Sequence, residues 1–206
     1  MLVTEVRKIS DRKCRISLED GTSFVLYHAE ARKLGIHVQE DLAPETIHCI
    51  KEDILKKRAC LRCMNLLRDS DRTVKQLRER LERDGYPVEL IQQALDYVAS
   101  FHYTDDRRYA QNYIRQMSGR KSRKQIEFEL LRKGVDRETV RAALSDEADA
   151  DRSTEAQAIL SLAHKRGYDP ENATREETAK LFRYLLGKGF GYESIRSALP
   201  DLRGME

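Results

Sequence analysis

The feature that most constrains this chain is an internal repeat. Aligned on Gly85, Gly134 and Gly189, three stretches share residue type position by position. Eight residues before each glycine stands Leu77, Ile126 or Leu181, and four before it Leu81, Leu130 or Leu185. A glutamate follows four residues later (Glu89, Glu138, Glu193), then Ile91, Val140 or Ile195, then Ala94, Ala143 or Ala198, then Leu95, Leu144 or Leu199. The glycines lie 49 and 55 residues apart. A period of that size marks units that bury their apolar faces by stacking on neighbours.

Each copy reads as helices. Thr73 with Gln76, and Ser122 with Gln125, have the capping-box form, a hydroxyl followed three residues later by a side chain that can return a hydrogen bond. Thr174 with Glu177 has the same form in the third copy. The helix opened there ends at the glycine, which adopts the left-handed conformation cheaply and is followed by an apolar residue (Tyr86, Val135, Phe190). A second helix follows, with Asp136 as a candidate N-cap in the middle copy. A preceding helix completes each unit, over about 44–68, 105–117 and 153–166. Before the repeats, Val3–Ile9, Cys14–Leu18 and Ser23–Tyr27 alternate or cluster as short strands, and Asp20-Gly21 is a hairpin signal. The expected fold is mainly α: three tandem three-helix repeats in an elongated array, preceded by a short antiparallel β element. The boundaries are 1–43 for the β module, 44–103, 104–145 and 153–206 for the repeats, and 146–152 for an acidic linker, either a helical extension or a hinge.

Composition excludes several classes. Of 206 residues, 35% are charged and 40% hydrophobic, with no tryptophan. No apolar run approaches the ~18 residues of a membrane span, and no basic-then-apolar leader opens the chain. Four cysteines are too few for a disulfide framework. These features point to a cytoplasmic protein without a membrane partner.

Catalytic signatures fail. Gly119-Arg120-Lys121-Ser122 resembles the end of a phosphate-binding loop, but Ile114 stands where the required upstream glycine belongs. The five histidines show no metal-ligand or nucleophile-partner spacing. Cys60 and Cys63 form a CxxC without a second close pair, and the plainer reading is two core-facing residues of a helix. Tyr109, Tyr113 and Met117 share one helical face with Ala110 and read as core. No catalytic residue, metal or cofactor is expected.

Charge distribution says more. Between positions 107 and 133 there are nine basic and two acidic residues, +7 in a chain whose total is +3. Arg108 and Arg115 lie opposite the apolar face of their helix, and Arg120, Lys121, Arg123 and Lys124 crowd the start of the next. These six are the candidate contacts to an anionic partner, a nucleic-acid backbone or an acidic protein groove. Phe128 and Leu131 lie nearly opposite Ile126 and Leu130 on that helix. Burial against a neighbouring repeat explains them best, and an exposed patch would mark a protein contact.

The runs Tyr103–Ala110, Lys121–Ile126 and Glu129–Asp136, with Arg72–Leu95, resemble the RecX family of bacterial recombination regulators. The resemblance covers about residues 50–145 strongly and the remainder in layout. It implies a non-enzymatic modulator of the RecA recombinase that lies along the groove of the RecA–single-stranded DNA filament. There it blocks extension or promotes disassembly, lowering ATP hydrolysis and strand exchange, with direct DNA contact left open. The chain itself is expected to be a monomer. The competing reading is a helix-turn-helix-like DNA-binding regulator. Against it, the helices after the three glycines carry few base-reading side chains.

Overall fold

A computed structural model describes residues 1–146, 148–170 and 172–199, with the backbone alone over 148–153. The chain divides into two compact units, Met1–Asp105 and Asp106–Glu206.

The first unit opens with an antiparallel sheet in the order β1 (Val3–Lys8), β2 (Lys13–Leu18), β3 (Ser23–Tyr27). Gly21, at φ +82°, turns β2 into β3. Val3, Cys14, Ile16, Leu18, Phe24 and Leu26 form one buried face, which packs on Ala31 of α1 (His28–Lys33) and on Ile47, Ile50 and Leu55. The last three belong to one continuous helical run: α2 (Pro44–His48), a π-helical stretch Cys49–Lys56, and α3 (Lys57–Asp69). The wider π turn is not written in the apolar spacing, which fits an α-helix equally well. β3 does not alternate, because Val25 on its other face is buried too. A Cβ added to Gly85 would lie 2.4 Å from Val25 Cγ2, so the glycine lets the first repeat seat on the sheet.

The first repeat is α3, α4 (Val74–Asp84) and α5 (Val88–Ser100), around Cys63, Leu77, Leu81, Ile91, Ala94 and Leu95. Arg58 ties it to the β module by pairing with Glu30 and lying 4.6 Å over the Tyr27 ring. The second unit holds the other two copies. Repeat 2 is α6 (Asp106–Met117), α7 (Arg123–Arg132) and α8 (Arg137–Asp146). Repeat 3 is α9 (Ala148–Lys165), α10 (Arg175–Gly187) and α11 (Tyr192–Ala198). Of the acidic stretch, Asp146 closes α8 and the backbone from Ala148 onward already belongs to α9, while Glu147 lies outside the described residues. The end of the expected third repeat, 200–206, lies outside them as well.

The aligned positions do the same physical task in each copy. Gly85, Gly134 and Gly189 have φ of +85°, +95° and +86°. Each amide bonds back three residues, and the next residue's amide bonds back five: Tyr86 to Leu81 (3.2 Å), Val135 to Leu130 (3.1 Å), Phe190 to Leu185 (3.2 Å). That double bond satisfies carbonyls a helix end leaves open. Thr73 and Thr174 exchange both capping-box bonds with Gln76 and Glu177. The middle copy departs from this. Ser122 Oγ accepts from the Gln125 amide (3.2 Å) but donates to the Lys188 carbonyl of repeat 3 (2.7 Å), and Gln125 turns its side chain to Glu129. Among the described residues no helix is long and apolar enough to cross a membrane.

Candidate functional site

The basic cluster sits on α6, the turn after it and the start of α7. Ala110 and Ile114 are buried, and Tyr109, Tyr113 and Met117 pack half-buried on the same core. Arg108 and Arg115 therefore fall on the exposed side of α6. The turn is held by Arg120 and Lys121 amides donating to the Met117 carbonyl at 2.9 and 3.0 Å. Fully buried Ser122 then caps α7, which presents Arg123 and Lys124 outward. Arg108, Arg115, Arg120, Arg123 and Lys124 are all exposed. Lys124 also lies beside the seam with repeat 3, its Cβ 3.3 Å from where a Gly189 side chain would begin.

Lys121 is placed differently. Its ammonium bonds Glu129 at 2.6 Å, lies 3.4 Å from the Tyr113 hydroxyl and stands over the Tyr113 ring. Tyr113 donates to the same carboxylate, and Lys133 Nζ lies 5.2 Å over the same ring. The pair is mostly covered, with 26% and 16% of the side chains exposed. Burial pushes the Glu129 carboxyl up, but Lys121 and Tyr113 outweigh it and hold the group below its ordinary range. The hydrogen bond to Glu129 raises Lys121 in turn. Lys121 is thus engaged inside the repeat. The sequence reading missed Glu129 because the partners stand eight residues apart across a helix start; extending the α7 turns back to position 121 would have aligned them.

Phe128 is 64% exposed, which corrects the expected burial against a neighbouring repeat. Repeat 3 meets repeat 2 at the N-terminal end of α7, through Ser122 and Lys188, and leaves the Phe128 face uncovered. Leu131 packs half-buried on the core of its own repeat. Lys124, Phe128 and Arg132 succeed one another at four-residue spacing, giving a stripe of cation, ring and cation.

Cys63 is fully buried and its thiol is pushed up to about 11 by burial, with Cys60 shifted the same way. Among the described residues no three His, Cys, Asp or Glu side chains gather where they could hold a metal. Asp136 caps α8 through the Thr139 amide at 2.9 Å, and that bonding lowers its carboxyl.

Three family models match, described as the first, second and third three-helix domains of RecX, over residues 59–97, 105–144 and 153–199. Curated relatives include the regulatory protein RecX of Clostridium botulinum, 27% identical over 98% of this chain and 95% of its own. That of Clostridium perfringens is 29% identical over the same shares. A crystal structure of regulatory protein RecX superposes with TM-score 0.64 at 21% identity, covering 97% of this chain and 98% of that one. RecX from Lactobacillus salivarius gives 0.60 at 23% identity, over 71% and 96%. These two support the fold.

Proposed function

The chain belongs to the RecX family of regulatory proteins, and from that premise we propose that it is a non-enzymatic, mainly inhibitory modulator of the RecA recombinase. In this reading it acts in the cytoplasm as a monomer. It lies in the groove of the RecA–single-stranded DNA filament, blocks extension or promotes disassembly, and so lowers ATP hydrolysis and strand exchange. The observation that carries the site assignment is the outward face of repeat 2. Arg108, Arg115, Arg120, Arg123 and Lys124 are exposed there, beside the exposed ring of Phe128. Such a face attracts a polyanionic surface over a Debye length and seats an aromatic anchor once contact is made.

Charge reversal of Arg120, Arg123 and Lys124 tests this with Lys121 left in its internal pair. Binding to RecA filaments on single-stranded DNA should weaken about tenfold or more at low salt, with an unchanged circular-dichroism spectrum. Unchanged affinity would remove this face from the interface.

A further inference from the structure

The outer face of the N-terminal sheet holds a second cationic site, in the other unit of the chain. Register places Arg7 directly opposite Arg15, Lys13 opposite Tyr27 and Glu5 opposite Ser17, all on the side away from the buried face. Like charges directly opposite on paired strands repel. Among the described residues neither arginine side chain makes an ion pair or a hydrogen bond. Glu5 shares the face and forms no ion pair with either.

Arg15 is also half-buried, and among the described residues no carboxylate forms an ion pair with it. Its position is fixed by the fold: Nη2 lies 3.9 Å from where a Gly85 side chain would begin, against the turn that seats repeat 1 on Val25. Lys13 Nζ stands 5.5 Å over the Tyr27 ring, whose surroundings also include Arg58 at 4.6 Å. Arg58 is neutralised by Glu30. Lys13 and Arg15 are two residues apart on β2, about 6.6 Å along the strand, with Arg7 beside Arg15. The row offers guanidinium forks and an ammonium to successive oxyanions, and a guanidinium fork matches phosphate geometry.

We infer that this face binds the phosphate backbone of a nucleic-acid strand, with Arg7 and Arg15 sharing one phosphate and Lys13 taking the next. An anion bound between Arg7 and Arg15 would offset the like charges that the register sets opposite each other. The site uses other residues than the face of repeat 2 and does not depend on the RecA reading.

The test is fluorescence anisotropy of labelled oligothymidylate, and of a labelled duplex, with the full chain and no RecA across a salt series. R7Q/R15Q should bind single strands about tenfold or more weaker at low salt, with the slope of log K against log salt reduced by about 0.7, the share of one phosphate. R7Q alone, at an exposed position, should show about half that slope change. The melting temperature of R7Q/R15Q should be no lower than that of the natural chain, since a repulsion is removed. The duplex arm identifies the strand form; an equal loss on duplex assigns the site to phosphate in either form. Unchanged affinity and slope in both variants would overturn the inference, as would equally tight binding of polyglutamate. If the variants keep DNA binding yet still modulate RecA, this inference fails and the proposed function stands. If they lose DNA binding while RecA is untouched by any form of the chain, the reverse holds.

Discussion

Replacing Gly189 with alanine puts a methyl group into the seam between repeats 2 and 3. At φ +86° the left-handed backbone costs a side-chain-bearing residue about 1–2 kcal/mol. The new Cβ would also stand 2.9 Å from Ser122 Oγ and 3.3 Å from Lys124 Cβ. Ser122 is fully buried, so its hydroxyl has little room to retreat. Displacing it breaks the 2.7 Å bond to the Lys188 carbonyl, and a buried hydroxyl left without its acceptor costs about 1–3 kcal/mol. The expected loss for G189A is therefore about 2–5 kcal/mol. Gly167 provides the control: it has φ +70°, but an added Cβ meets nothing within 4 Å. G167A should lose only the backbone part, about 1–2 kcal/mol. Urea unfolding followed by circular dichroism measures both. In an S122A background, which removes the obstructing oxygen, the further cost of G189A should shrink towards that of G167A. Equal losses for G189A and G167A in the natural background would refute the close-approach argument.

Two further predictions concern repeat 2. Glu129 titrates below its ordinary value in the folded chain, so its contribution to stability is present above the unfolded carboxylate pKa of about 4.3. That contribution is lost as pH falls through the depressed folded value. Removing the cation with K121A should destabilise the chain by about 1–3 kcal/mol near neutral pH and move the acid-side loss to higher pH; parallel stability–pH curves for K121A and the natural chain would contradict the pairing. Phe128, being exposed, should change stability by less than about 0.5 kcal/mol on conversion to alanine while inhibition of RecA weakens, and full inhibition by F128A would take the ring out of the interface.

Local rules made most of the helical architecture readable. A capping hydroxyl, apolar residues at four-residue spacing and a glycine followed by an apolar residue each satisfy a requirement of one helix end. Repetition of the same solution at Gly85, Gly134 and Gly189 made the units visible. The alternation in β2 likewise exposed the sheet. What escaped depends on contacts between elements. Val25 reads as a misplaced apolar residue until Gly85 is seen to lie against it. Ser122 looks like an ordinary cap until its hydroxyl is seen to serve a carbonyl 66 residues away. The candidate site divides the same way. Exposure of Arg108 and Arg115 followed from helical geometry, whereas the capture of Lys121 by Glu129 depends on how the turn before α7 lays Lys121 along that helix, and the uncovered face of Phe128 required knowing where repeat 3 docks. The opposition of Arg7 and Arg15 follows from strand register, which the hairpin turn alone does not fix to a residue.

The most direct test of the central claim is RecA-catalysed ATP hydrolysis on single-stranded DNA while this protein is titrated in. Hydrolysis should fall progressively as the protein is added. Action at far fewer copies than RecA indicates capping or disassembly of the filament, and action only near equal stoichiometry indicates coating of its groove. Hydrolysis that stays unchanged at equal stoichiometry, with the added chain folded, would contradict the account.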